Sequence, residues 1–163
     1  MLEWTFVDDR DKFVGATIPQ LHLHHQQWAA QAIKEENPNG KPEWLFTDFN
    51  SRYQYFIHVD EEVLRSVVYE APHLPDDDIL STGYLNFVDA EWISNEERWG
   101  AEISGVDSDT PYDPIDGCTE YDVGWIRIAA NMVGAGFYVN IGPALWHSSY
   151  RRPFELLDWW SSR

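Results

Sequence analysis

Cysteine is almost missing from this 163-residue chain. The single residue, Cys118, rules out an internal disulfide and any zinc site built on paired cysteines. Long apolar runs are also missing, since no stretch approaches the roughly 18 residues that a bilayer crossing needs. The opening Met1-Leu2-Glu3-Trp4, with Asp8 and Asp9 close behind, has neither the basic n-region nor the apolar h-region of a signal peptide. A cytoplasmic protein with no membrane partner is expected. Positive charge is the third scarcity: 11 Lys and Arg stand against 28 Asp and Glu, for a formal net charge of −17 and a pI near 4.4. Phosphate backbones are bound through clusters of Lys and Arg that release counterions, so no direct nucleic-acid partner is expected. Repeats, linkers and low-complexity segments are lacking too, and the whole chain, 1–163, reads as one domain.

Aromatic surface is plentiful. Nine Trp, eight Tyr and eight Phe on a background of 44% apolar residues can offset the entropy of ordering the chain, so the high net charge does not imply disorder. The charge itself is unevenly placed. Residues 1–59 carry 8 acidic and 5 basic side chains, residues 60–122 carry 18 and 2, and residues 123–163 carry 2 and 4. The dense stretches are Asp60-Glu61-Glu62, Asp76-Asp77-Asp78, Glu96-Glu97 and the loop holding Asp107, Asp109, Asp113 and Asp116. Each alone reads as a solvated face. Together they repel one another, and a cationic partner would relieve that repulsion.

Hydrophobic periodicity divides the chain into short elements. Leu2 to Val7 alternates like a strand, and Ile18 to Glu36 carries the best helical pattern, with Thr17 to cap it, Pro19 in its first turn, and Leu21, His25, Trp28 and Ala32 on one face. Trp44 to Thr47 and Tyr53 to Val59 read as strands around a turn. Asp60 caps a helix through Glu70 with Val63, Val67 and Val68 inward, and Tyr84 to Val88 is a strand. Ser94 followed by Glu97 fits a capping box, although a helix beginning at Asp89 fits this segment equally well. Beyond a long loop from Gly105 to Tyr121, Asp122 to Ala129 and Gly136 to Ile141 read as paired strands, with Ile126 and Ile128 on one buried face and Gly134 and Gly136 in the tight turn between. Pro153 then opens a last helix through Ser161. The expected architecture is α+β, a single domain with a central, mostly antiparallel sheet and flanking helices. Residues 1–59 supply the N-terminal helix and strands, and residues 60–163 the acidic segment and a C-terminal hairpin plus helix.

Chemistry-bearing residues are sparse in pattern. His22 and His25 share a helical face at i, i+3, but no partner motif completes a metal site, and they read as polar helix surface. Asp107-Ser108-Asp109 begins like a calcium loop, yet Pro111 and Tyr112 stand where an oxygen ligand and a Gly belong. Cys118 lies among Asp116, Glu120 and Asp122, neighbours that disfavour a thiolate. No metal and no cofactor are expected. Trp28, Trp125 and one of Trp159 and Trp160 fit core positions, whereas Trp99 and Tyr112 sit within the acidic segment, where an aromatic rimmed by carboxylates reads either as core or as a protein-binding anchor.

Trp125-Ile126-Arg127-Ile128-Ala129-Ala130-Asn131, then Gly134, Gly136-Phe137-Tyr138-Val139-Asn140-Ile141 and Pro143, resembles the central hairpin of the SUKH superfamily. Tyr84 to Trp99, with Glu96-Glu97, and the closing Pro153-Phe154-Glu155-Leu156-Leu157 follow in the order that family uses, so the resemblance covers residues 74–160. It implies a binding module without catalysis, of the kind found in bacterial immunity proteins that block a cognate toxin. The expected partner is then a cationic, nuclease-type protein toxin. The expected contact surface is Asp76, Asp77, Asp78, Glu96, Trp99, Asp107, Asp109, Tyr112 and Asp113. A small hydrolase using carboxylates or a His-bound metal is the alternative, because pairs of acidic side chains suited to acid–base work abound in a chain with 28 of them.

Overall fold

The computed structural model describes residues 4–38, 50–70, 83–100 and 112–157. Within them it has an α+β architecture: one sheet of four strands in the order β1-β2-β3-β4, with β1 Tyr55–His58, β2 Tyr84–Asp89, β3 Trp125–Ala129 and β4 Leu156–Leu157. The first three strands pair antiparallel, with Ile57 opposite Phe87 and Phe87 opposite Ile126, and β4 joins β3 in parallel. Side chains alternate across a strand, so Tyr55, Phe87, Ile126 and Ile128 share one face, and Phe56, Val88 and Trp125 the other.

The helices cover both faces. Helix α1 is a single turn, Arg10–Phe13, and α2 spans Ile18–Glu36. Thr17 caps α2 as expected, in a capping box with Gln20, whose Oε1 accepts from the Thr17 N–H at 2.9 Å, and Asn37 closes the helix. Ile18 packs with Phe56 against the Val88 and Trp125 face, and farther along, Ala29 and Ala32 pack on Tyr53 of the short helix α3, Ser51–Gln54. His22 and His25 are not the open polar surface expected of them. Both rings contact Phe56, with His25 stacked at 4.9 Å, and burial holds both imidazoles below their ordinary pKa.

Asp60 caps helix α4, Glu61–Arg65, by accepting from the Val63 N–H at 2.7 Å. The helix then widens into a π turn, Ser66–Glu70. Val63 is buried as expected, but the wider turn shifts the phase of the face, leaving Val67 and Val68 exposed at 40% and 51%. Gly83 lies against this turn so closely that a Cβ would sit 2.7 Å from Val67 Cα.

Three further expectations fail. The C-terminal hairpin does not form, because Ala135–Asn140 is helix α6 and Pro143–Ser149 is helix α7. A parallel partner for β3 requires a crossover, and these helices supply it. Phe137 and Ile141, four residues apart, and Trp146 and Tyr150, also four apart, bury on the Ile126 and Ile128 face. A short apolar run fits period 2 and period 3.6 alike, and here the crossover decides. Gly134 therefore precedes a helix as its N-cap and makes no hairpin turn. Pro153 opens no helix within the described residues: 153–155 turn, and Leu157 enters the core as part of β4. Trp4 to Val7 forms no strand, since no described strand lies beside it to pair with, and Phe6 is 87% exposed. The strand expected over 44–47 lies outside the described residues, as do Trp159 and Trp160.

Candidate functional site

An antiparallel meander brings the start of β1, the end of β2 and the start of β3 to one edge of the sheet. Each of those ends carries polar residues, and a cleft of about 350 Å³ opens there. Gln54 borders it from the β1 side, Asp89 and Glu91 from β2, and Glu120 and Asp122 from the approach to β3. Trp92 and Trp146 contribute indoles, and Arg98 and His147 are the cationic or titratable neighbours. Four carboxylates thus share one concavity with a single guanidinium.

Local hydrogen bonds explain how the walls hold. The Asp89 N–H donates to the Gly124 carbonyl at 2.9 Å, which locks the two strand ends together. Gly124 has φ +80°, and a Cβ there would meet the Trp92 ring at 2.7 Å, so the indole lies directly on the glycine. Asp122 Oδ1 accepts from the Gly124 N–H at 2.8 Å, and its Oδ2 accepts from Trp146 Nε1 at 2.9 Å. Both oxygens of Glu120 accept from the Asn95 N–H, at 2.8 and 3.0 Å, anchoring helix α5, Asn95–Trp99, to the far wall. Ser94 Oγ accepts from the Glu97 N–H at 3.1 Å, which decides between the two helix starts that the sequence allows. Asp89 Oδ1 accepts from the Glu91 N–H at 3.0 Å and from Gln54 Nε2 at 3.3 Å. Burial nevertheless pushes the Asp89 carboxyl up to about 6; the hydrogen bonds oppose the rise and the Asp122 charge adds to it.

Behind this wall the loop 112–122 is held by one buried cation. Arg152 donates to the carbonyls of Glu120, of Tyr121 at 3.1 Å, of Asp113 at 2.7 Å and of Cys118 at 3.3 Å. Its guanidinium also lies 5.0 Å from the centre of the Tyr112 ring. The Cys118 thiol is pushed up, by burial first and by Glu120 among the nearby charges, in the direction expected of an unreactive thiol.

The expected contact residues fall unevenly on this frame. Tyr112 and Asp113 are exposed on the loop whose far end, Glu120 and Asp122, walls the cleft. Tyr112, at 42% exposure, leans on Tyr121 with ring centres 5.5 Å apart. Glu96 and Trp99 lie on α5 between and beside the cleft residues Asn95 and Arg98, while their side chains lie outside the described set. Asp76, Asp77, Asp78, Asp107 and Asp109 lie outside the described residues. Sequence reasoning passed over Asp89, Glu91, Glu120, Asp122, Trp92 and Trp146. The signal was present in two consecutive strands, β2 and β3, with acidic residues at ends that antiparallel pairing makes neighbours. Among the described residues no three His, Cys, Asp or Glu side chains are grouped to hold a metal ion, and no helix is long and apolar enough to cross a membrane. Comparison with protein-family models, with curated proteins and with solved structures found no match.

Proposed function

We propose that the chain is a binding module for a cationic protein, an immunity protein or antitoxin that neutralises a basic, nuclease-type toxin. The observation that carries this reading is the gathering of Asp89, Glu91, Glu120 and Asp122, all from the acidic segment 60–122, around one indole-lined cleft. A nuclease is basic because it binds a polyanion, and an acidic inhibitor gains fast, salt-sensitive association with it. The resemblance of residues 74–160 to SUKH immunity proteins supports the same reading through the order of its motifs, although the second strand of the hairpin that suggested it is helix α6.

The test is capture on the immobilised chain from an extract of its own host at low salt, with elution at high salt. A basic protein whose toxicity is suppressed by co-expressing this chain is the expected result. Recovery of neutral or acidic proteins alone contradicts it. A second reading, a small carboxylate hydrolase, draws on Asp89, which lines the cleft with Asp122 and His147 and whose carboxyl burial pushes up, as a general acid requires. A hydrolytic turnover that Asp89→Asn abolishes would establish it in place of the first.

A further inference from the structure

Helix α2 is held in two different ways along its length. Over its first half, Ile18 packs with the buried Val88 and Trp125, and the rings of His22 and His25 both meet Phe56, with centres 6.3 and 4.9 Å apart. A hydrogen bond from Gln26 Nε2 to the Ala90 carbonyl, at 2.6 Å, ties this half to the end of β2. Over the second half, Ala29 and Ala32 pack on Tyr53, whose hydroxyl donates to Glu36 at 2.9 Å, and Arg52 pairs with Glu36 at 2.7 Å. The imidazole contacts with the sheet therefore lie under the first half.

His22 Nε2 and His25 Nδ1 are both buried without a hydrogen-bond partner. A neutral imidazole can place its bare nitrogen, an acceptor, in such a position. An imidazolium turns the same atom into a charged N–H donor with nothing to receive it, and burial then disfavours the charge as well. The groups around the two rings do not answer that charge. His24 is beside them on α2, with Phe13 of α1 against its ring at 4.9 Å. From β1 comes His58, whose own Nδ1 is buried and unpartnered, and the carboxylate of Asp60 acts on His58. Cys118 belongs to the apolar cluster that holds Phe56, and its thiol is pushed up by burial and stays uncharged. Arg52 lies over the Trp28 ring that His25 touches, and it is a cation already engaged by Glu36.

We propose that the first half of α2 is an acid-released strap: when His22 and His25 take up protons, residues 18–26 leave the sheet and uncover Phe56, Val88 and Trp125, while the core on the opposite face stays folded. That core, with Phe87, Ile126 and Ile128 under Phe137, Ile141 and Trp146 of α6 and α7, has no part in the α2 contact. Burial holds both imidazoles below their ordinary pKa, and His25, on which His22 and His24 also press, lies at about 4. A group held down from 6.5 to about 4 by the closed strap favours opening as pH falls through that interval. From His25 alone the opening constant should rise about fiftyfold between neutrality and a pH near 4.5, and His22 adds to the rise.

The experiment is native-state hydrogen exchange of the full chain near pH 7 and near pH 4.5, with a series of low urea concentrations at each and every amide corrected for its intrinsic rate. Amides of residues 21–26 should exchange through an opening that depends weakly on urea, well ahead of those in β2 and β3, and that opening should rise about fiftyfold or more in acid. The double variant His22→Phe, His25→Phe should cut the rise to about threefold or less. Should the double variant fail to fold, His25→Gln alone should remove the larger part of the rise. Ring C–H resonances of the folded wild type should show His22 and His25 titrating below the ordinary histidine range. An undiminished rise in the variant that folds overturns the proposal. So do amides of 21–26 that open only together with β2 and β3 and with the same urea dependence, and so does an ordinary titration of both rings in the folded chain.

Discussion

Burial pushes the Asp89 carboxyl up to about 6 and the His25 imidazole down to about 4, the latter with smaller contributions from the His22 and His24 charges. The two shifts act on stability with opposite sign. For His25 the unfolded chain takes up the proton first, so stability falls as pH drops from about 6.5 to about 4. For Asp89 the folded protein takes it up first, so stability rises as pH drops from about 6 to 3.8, and near neutrality the buried carboxylate costs about 3 kcal/mol. These windows nearly coincide and the two contributions offset each other, while His22 and His58, whose imidazoles burial also holds down, leave the wild-type stability falling toward acid. Asp89→Asn should raise the urea midpoint near pH 7, leave it unchanged near pH 3.5 and steepen the acid loss between. His25→Phe should instead make the acid loss shallower. Urea titrations of both variants at several pH values check this. His25 was legible in the sequence as a helix-face residue but not as a buried one, because its cover, Phe56, comes from a strand that periodicity places in the chain but not in space.

The elements that the sequence predicts best are those whose signals are local. Helix α2 starts where Thr17 and Pro19 say it should, and β2 and β3 follow runs bounded by turn residues. Helix α6 failed because Phe137, Tyr138 and Ile141 satisfy either period, and only the parallel docking of Leu156 and Leu157 on β3 demands a crossover. Arg152 shows a similar limit. Nothing in Arg151-Arg152-Pro153 announces that one guanidinium will satisfy carbonyls of Asp113, Cys118, Glu120 and Tyr121. Replacing it by Met keeps the stem and leaves those carbonyls without their donor, at a cost on the order of 3 kcal/mol. Hydrogen exchange of Arg152→Met should show amides of 112–122 exchanging faster, while those of β2 and β3 keep most of their protection. Uniform acceleration across the sheet would mean that the loop and core are one cooperative unit.

Across the whole molecule, 18 acidic and two basic side chains in residues 60–122 give that segment a net charge of −16, out of −17 for the chain. Solubility needs no such concentration. The sequence alone shows this imbalance, but not that the carboxylates at the end of β2 and before β3 converge on one cleft, since convergence follows from sheet order and register. Charges at the rim of an interface act on the association rate, and a pair desolvated at its centre acts on dissociation. The chain's central property, on this account, is an acidic surface that steers a basic protein onto it. The most direct test is stopped-flow association with the captured partner at low and high salt, for wild type and for the triple variant Asp76→Asn, Asp77→Asn, Asp78→Asn. Wild-type association should slow about tenfold or more from roughly 50 to 500 mM salt, and the triple variant should associate more slowly at low salt with a flatter salt dependence. Equal rates for the two proteins, or a wild-type rate indifferent to salt, would contradict the account.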